Sequence, residues 1–272
     1  MPELPEVETT RAGLSPHCVG TTLLRLTVRE PRLRWRVAAD MPACVQGRTI
    51  ERLDRRGKYL IFRLDDGAAM LLHLGMSGSV RVVSPDRPLL RHDHVDMEVN
   101  NGKVLRFHDP RRFGSLHYTS ASVEQHRLLA SLGPEPLSQH FTGQHLYARS
   151  QGRRCAVKPF IMDAHVVVGV GNIYAAEALF RAGIHPARAA GCIASARYDR
   201  LAAHIRDVLS EAIQIGGTTL RDFTNSQGEP GYFQQTLNVY GRAGLPCKRC
   251  GRTLRLMHLG QRATVYCPAC QR

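Results

Sequence analysis

Four cysteines crowded between positions 247 and 270 constrain this chain more than any other feature. Cys247-Lys248-Arg249-Cys250 and Cys267-Pro268-Ala269-Cys270 are two CxxC knuckles separated by sixteen residues. Four thiolates at that spacing close a tetrahedral structural zinc site with no open position for chemistry. Between them, Thr253-Leu254-Arg255-Leu256 and Ala263-Thr264-Val265-Tyr266 predict the strands of a hairpin turning near Leu259-Gly260. So short a tail has too little core to fold alone, and metal binding supplies its folding energy. A redox dithiol pair and an iron–sulfur centre are the alternatives, but neither needs two evenly matched knuckles at the ends of a hairpin. His258 reads as a surface residue, and Arg262 as a cation held at the hairpin tip. Cys18, Cys44, Cys155 and Cys192 are scattered and read as small hydrophobes.

The charge balance narrows the partner. Lys plus Arg number 37 against 23 Asp plus Glu, a net +14 over 272 residues. Such a field draws polyanions, so DNA, RNA or an anionic membrane surface leads. At 43% hydrophobic residues, wholesale disorder is excluded. No run approaches the ~20 apolar residues a membrane span requires. The start, Met1-Pro2-Glu3-Leu4-Pro5-Glu6-Val7-Glu8, is acidic and proline-bearing, the reverse of a secretory signal. A cytoplasmic chain with reduced thiols and no membrane partner is expected. Charge and finger together point to nucleic acid but name no reaction.

Periodicity divides the chain. Residues 3–14 predict a short helix with acidic side chains in its first turns. The apolar runs 58–64 and 69–74 flank Asp65-Asp66-Gly67, a hairpin signal. Val95, Met97 and Val99 alternate before Asn101-Gly102, and Val104, Leu105 and Phe107 follow, giving a second hairpin. Strands dominate to about Tyr118, so the first half reads as a sandwich or barrel with a helix laid against it. Polar sequence with Leu132-Gly133-Pro134-Glu135-Pro136 then marks a linker. Helices follow: one starting at Pro159 ahead of Ile161, Met162 and His165, one capped by Asn172 and ending at Gly183, and one with Leu201, Ile205, Val208, Leu209, Ala212 and Ile213 on one face. The expected boundaries are a domain over 1–133, a linker over 134–150, a helical domain over 151–237 and the finger over 238–272.

Pro2 and its neighbours admit two readings. Removal of the initiator methionine before a small residue would leave a proline amine, which is partly neutral and nucleophilic near neutral pH. Such an amine can attack a sugar C1′, with Glu3 as proton donor and Glu6 on the same helical face. The same residues also make a plain helix start.

Motifs along the whole chain resemble the formamidopyrimidine-DNA glycosylase family of bacterial base-excision repair. They are Pro2 to Thr9, Arg56-Gly57-Lys58-Tyr59-Leu60, His73 to Ser79, His92 to Asp96, Asp109-Pro110-Arg111-Arg112-Phe113-Gly114, Val170 to Tyr174, Gly216 to Leu220, Gly231-Tyr232-Phe233 and Gln261-Arg262 inside the finger. The resemblance implies an α+β protein of two domains: an N-terminal β-sandwich with a leading helix, and a C-terminal helix–two-turn–helix domain with a β-hairpin zinc finger.

It further implies a bifunctional glycosylase and abasic-site lyase that takes oxidised purines from double-stranded DNA, acting as a monomer with one structural Zn2+ on Cys247, Cys250, Cys267 and Cys270. Pro2 would be the Schiff-base nucleophile, Glu3 the proton donor, Lys58 an aid to β-elimination and Arg262 the phosphate grip linked to δ-elimination. Met76, Arg111 and Phe113 would fill the hole left by an extruded base. Further DNA contacts are implied at Glu6, His92, Arg112, Arg153 (or Arg154), Lys158, Asn172 and Tyr232, with 218–232 as a loop closing over the purine. An endonuclease VIII-type enzyme acting on oxidised pyrimidines is the alternative; Leu4 and the full set Met76, Arg111, Phe113 favour purines. A non-catalytic DNA-binding protein on this scaffold should have lost Pro2, Glu3 or Lys58.

Overall fold

The computed structural model describes residues 2–216 and 237–272. Within these, the chain forms two units, residues 2–130 with 215–216 and residues 131–214 with 237–272. In the first, helix α1 (Leu4–Cys18) carries Pro5 in its first turn, where a missing N–H costs no helical bond. It is followed by β1 (Leu23–Val28), a short α2 (Met41–Val45), and β2 (Ile50–Arg56), β3 (Tyr59–Leu64), β4 (Ala69–His73), β5 (Ser79–Val83), β6 (Asp93–Val99), β7 (Val104–His108) and β8 (Ser115–Thr119).

These strands make two antiparallel sheets of four, in the orders β1-β6-β7-β5 and β2-β3-β4-β8. Both expected hairpins form, β3 with β4 and β6 with β7. Alternation does the sorting. Val95, Met97, Leu105 and Phe107 from one sheet meet Leu60, Phe62, Met70, Leu72 and Leu116 from the other in a single core, which Val7, Leu14 and Cys18 of α1 also enter. That is a sandwich with a leading helix.

The second unit holds α3 (Gly143–Ser150), α4 (Val157–Ile161), α5 (Asn172–Ala182), α6 (Ser195–Gln214) and the hairpin β9 (Arg255–Leu259) and β10 (Arg262–Tyr266). Three expectations are corrected here. The segment 134–150 is not a bare linker: α3 starts at its Thr142 cap, whose hydroxyl accepts the His145 N–H at 3.0 Å, and packs on α6. Pro159 is the third residue of α4, where its missing N–H still falls in the unbonded first turn. The helix stops at Ile161, and the Asp163 carboxylate accepts the His165 N–H at 2.9 Å, a turn bond that competes with further helix. Asn172 is the first helical residue of α5, and Gly171 is the cap.

Gly183, with φ +67, closes α5 as expected. α6 buries Leu201, Ala202, Ile205, Val208, Leu209 and Ala212, and the forked Arg181–Glu211 pair at 2.6 and 2.7 Å ties it to α5. Among the described residues, no helix is long and apolar enough to cross a membrane.

Candidate functional site

In the first unit, the candidate chemistry begins at the start of α1. Pro2 is buried, and Glu3, 2% exposed, is the extended N-cap residue. The Glu3 N–H donates to the Glu6 carboxylate at 2.8 Å, one arm of a capping box that fixes the backbone on which Pro2 and Glu3 stand. Glu6, expected among the DNA contacts, is fully buried, and its Oε2 braces the helix start.

One turn on, Arg55 reaches Glu8 through Nε at 2.8 Å and the Gly57 carbonyl through Nη1 at 3.0 Å. Burial works against the Glu8 charge, but Arg11 and Arg55 hold its carboxyl below the usual range. This chain of bonds ties α1 to the two-residue turn Gly57-Lys58 between β2 and β3, where Gly57 adopts φ +56. Lys58 is half-buried there. Across the β3–β4 pair, the Tyr59 and His73 rings lie 4.8 Å apart. Burial, then the charges of Lys58, Arg34 and His117, push the His73 imidazole down to about 4. His73 Nδ1 accepts the Gly75 N–H at 2.9 Å, so the neutral ring presents Nε2–H as a donor.

Two loops of the same unit carry Met76 and the Arg111–Phe113 pair. They are locked together. Asp109, fully buried, accepts from the Ser77 hydroxyl at 3.0 Å and the Gly114 N–H at 2.7 Å, while the Arg111 N–H donates to Ser77 Oγ at 3.3 Å. The approach is so close that a Cβ on Gly75 would stand 2.3 Å from the Gly114 nitrogen. On this base Met76 and Phe113 project to solvent, 37% and 43% exposed, and the Arg111 guanidinium sits 4.8 Å from the Phe113 ring centroid. Arg112 takes φ +54, a left-handed conformation unfavourable for a side chain, and turns to Glu30 at 3.3 Å. His92 stands between the His94 and His108 rings at 6.0 and 5.9 Å.

In the second unit the finger hairpin turns through Gly260 and Gln261, both with positive φ, and presents Arg262 exposed just after the turn. The four cysteine sulfurs lie within 4.8 Å of one another. Backbone N–H groups of Arg249 and Cys270 point at the sulfurs of Cys247 and Cys267, each at 3.4 Å, donors suited to thiolate ligands. The finger is not a separate body. Cys247, Leu254, Val265 and Cys267 share a core with Ala176 and Phe180 of α5. The Glu177 carboxylate, also on α5, accepts four bonds of 2.8 to 3.0 Å from Asn238, Val239 and Tyr240.

Lys158 is the largest departure from expectation. It is 1% exposed, and its ammonium donates to Asn172 Oδ1 at 2.7 Å, Thr264 Oγ1 at 2.9 Å and the Ala263 carbonyl at 3.4 Å. A buried ammonium needs such partners, and Lys158 braces α4 to the base of the Arg262 hairpin. Asn172 keeps a half-exposed amide at the start of α5, also reaching the Ala263 carbonyl at 3.3 Å. Arg153 and Arg154 are both exposed after α3. Tyr232 and the segment 218–232 lie outside the described residues.

Ser77, Asp109 and the Glu8–Arg55 link have no role in the sequence reading. Ser77 and Asp109 show only as polar residues in glycine-bearing loops, and Glu8 and Arg55 only as charges on a helix and a strand, all too common to single them out.

Comparison with known proteins agrees with this arrangement. Residues 1–116 match the formamidopyrimidine-DNA glycosylase N-terminal domain, 132–224 the formamidopyrimidine-DNA glycosylase H2TH domain, and 244–272 the zinc finger found in FPG and IleRS. The formamidopyrimidine-DNA glycosylase of Alkalilimnicola ehrlichii is 58% identical over the full length of both chains. The complex between the Lactococcus lactis Fpg and abasic-site DNA superposes with TM-score 0.92 at 33% identity, over 99% of both chains. A MutM complex with DNA containing carbocyclic 8-oxo-G superposes equally well, TM-score 0.92 at 33% identity over all of both chains. With three domain matches in order and a relative of this identity end to end, the chain belongs to the formamidopyrimidine-DNA glycosylase family.

Proposed function

We propose that this chain excises oxidised purines, 8-oxoguanine and formamidopyrimidines, from duplex DNA and cleaves the resulting abasic strand by β,δ-elimination. The family membership carries the glycosylase and lyase activities and the substrate class. The residue roles are our reading. Removal of Met1 frees the Pro2 amine, a group that titrates near about 7.7–8.0 when unperturbed. It attacks C1′ of the damaged nucleoside; the glycosidic bond breaks, the base leaves with the bonding pair, and Glu3 supplies the proton that relieves the developing charge. Loss of the proton on the attacking nitrogen and opening of the C1′–O4′ bond, with a proton delivered to O4′, then give the iminium, which acidifies C2′. Loss of the C2′ proton expels the 3′ phosphate with the C3′–O3′ pair, assisted by Lys58, and loss of the C4′ proton expels the 5′ phosphate, with Arg262 gripping the phosphates.

Extruding the base costs a few kcal/mol of stacking, which Met76 and Phe113 offset by filling the gap while Arg111 reads the orphaned partner. His92, Arg112, Asn172 and Arg153 or Arg154 take phosphates. The four cysteines fit one Zn2+: four sulfurs with no fifth position make it structural, holding the hairpin that bears Arg262. The observation that carries this reading is the start of α1, where the buried Glu3 follows Pro2 directly and Glu6 holds their backbone rigid.

Borohydride reduction during turnover tests it. The expected result is a covalent DNA adduct on the N-terminal peptide at Pro2, lost when Met1 is retained because the nitrogen is then an amide. An adduct on Lys58 overturns the assignment. Competitive cutting of 8-oxoguanine and thymine-glycol duplexes tests the substrate; faster turnover of thymine glycol places the chain with the endonuclease VIII-type enzymes.

A further inference from the structure

The cationic surface of the first unit extends past Lys58 into residues that the mechanism above does not use. Trp35, the only tryptophan of the chain, is half-buried in the loop between β1 and α2. The Arg34 guanidinium lies 4.7 Å from its ring centroid and that of Arg127 5.6 Å, and the His117 ring is 5.5 Å away with His126 at 5.8 Å beyond it. The loop is pinned: Arg32 bridges Arg36, and the Arg34 N–H donates to the Gly114 carbonyl at 3.0 Å, one residue past Phe113.

Most arginines of this unit meet a carboxylate, while Arg34 and Arg127, like Arg36, Arg87, Arg91 and Arg111 among the described residues, do not. Arg11, Arg25, Arg29, Arg32, Arg52, Arg55, Arg63, Arg81, Arg106 and Arg112 each meet a carboxylate. Among the described residues, Arg34 and Arg127 meet none, and both are exposed. The acids nearest in sequence are already taken, Glu30 by Arg32 and Arg112 and Glu124 by Arg63. The unbalanced charge is felt locally. His117, pushed down to about 4 by burial and then by His126 and Arg127, and His126, lowered by burial and Arg127, remain neutral. Tyr59, raised by burial, feels both Arg34 and Arg127, and His73 feels Arg34 together with Lys58. The patch therefore abuts Lys58 on one side and the Phe113 loop on the other.

An uncompensated pair of guanidinium groups stacked about a tryptophan is pre-organised for anions, since the ring fixes their planes without neutralising them. We infer that Arg34 and Arg127, held about Trp35, form a second phosphate clamp that takes the DNA backbone where it runs beyond the Lys58 position. Trp35 holds the two cations in place, and His126, whose Nδ1 accepts the Leu128 N–H at 3.3 Å, offers a neutral Nε2–H donor at the edge. This inference rests on the DNA-repair reading above, and deepens it by lengthening the contacted strand.

The test is the salt dependence of binding to a duplex carrying a tetrahydrofuran abasic analogue, with full-length protein. Removing one phosphate contact lowers the slope of log K against log salt by about one. Arg34→Ala and Arg127→Ala are each expected to do so, with low-salt affinity falling roughly three- to ten-fold. Arg34→Lys and Arg127→Lys are expected to restore most of the slope. Arg25→Ala, which removes a cation already paired to Glu98, is the control. Trimming the duplex on one flank should abolish the difference between wild type and variants. A slope unchanged from the Arg25→Ala control overturns the inference, as does lost affinity with an unchanged slope, which would mark the arginines as packing for Trp35. If wild type forms no trapped adduct at Pro2, the proposed mechanism fails while the slopes still report on the clamp.

Discussion

The Ser77 hydroxyl donates to the Asp109 carboxylate across 3.0 Å, joining two loops that are 32 positions apart in sequence. Met76 stands on one loop, Arg111 and Phe113 on the other. The three side chains that the proposed function places in the DNA stack thus share a single buried latch. Replacing Asp109 by alanine leaves the Ser77 hydroxyl and the Gly114 N–H without their acceptor, at a cost of about 1–3 kcal/mol each. The expected outcome is a lowered midpoint in urea and slower release of 8-oxoguanine from duplex. Cleavage of a single-stranded abasic substrate, which has no stack to fill, should fall less. Equal losses on both substrates would reduce Asp109 to a stability residue.

Arg111 is exposed and steadied by the Phe113 ring. A guanidinium reading a base edge carries about 1–3 kcal/mol of discrimination, whereas a phosphate contact is blind to sequence. Arg111→Ala should therefore narrow the difference between 8-oxoguanine opposite C and opposite A by about ten-fold or more. Cleavage rates on the two duplexes check it.

Lys158→Ala separates a brace from a phosphate contact. The change removes the buried ammonium's bonds to Thr264 Oγ1 and the half-exposed Asn172 Oδ1, with a stability loss of about 1–3 kcal/mol expected in thermal unfolding. Binding to DNA should weaken while its salt slope stays the same. A slope lower by about one would restore Lys158 to the list of phosphate contacts.

The forms of His73 and His117 set a pH window. Both are held at about 4, chiefly by burial, whereas the unfolded chain protonates them near about 6.5. Between those values the unfolded state binds more protons, so stability rises with pH there. The contribution is complete above about pH 6.5 and is lost as pH falls through about 4. Urea unfolding at a series of pH values should show this loss, reduced in His73→Gln. Imidazole proton resonances titrating near 6.5 in the folded protein would contradict it.

Metal analysis should return close to one zinc per chain, and chelation should lower DNA affinity along with the protection of β9 and β10 amides from exchange. Serine at Cys267, the fully buried ligand, should be the most damaging of the four single changes. An iron–sulfur absorption band would refute the metal assignment.

Much of the scaffold was legible because it is local. Asn101-Gly102 between alternating apolar residues specifies the β6–β7 hairpin, Gly183 ends α5 through its left-handed φ, and the knuckle spacing marks the finger. What escaped reading depends on contacts between distant segments. Lys158 reads only as a DNA contact, and its burial shows once Thr264, 106 positions on, is seen to bond its ammonium. The helix α3 hides in polar sequence because only its Leu146 side reaches α6. Pro2 and Glu3 look like any helix start; burial and the Glu6 brace distinguish them, and no periodicity encodes either.

The ties between finger and helices bear on how such a protein can be rebuilt. Glu177 grips residues 238–240, Lys158 grips the base of β10, and the Gln271 side chain donates to the Ile184 carbonyl at 3.0 Å. A finger transplanted from a relative would arrive without its sockets. The exchangeable piece is larger than the sequence motif: hairpin, α4 and α5 must travel together, and a chimera joined anywhere between them severs a buried charge from its partner.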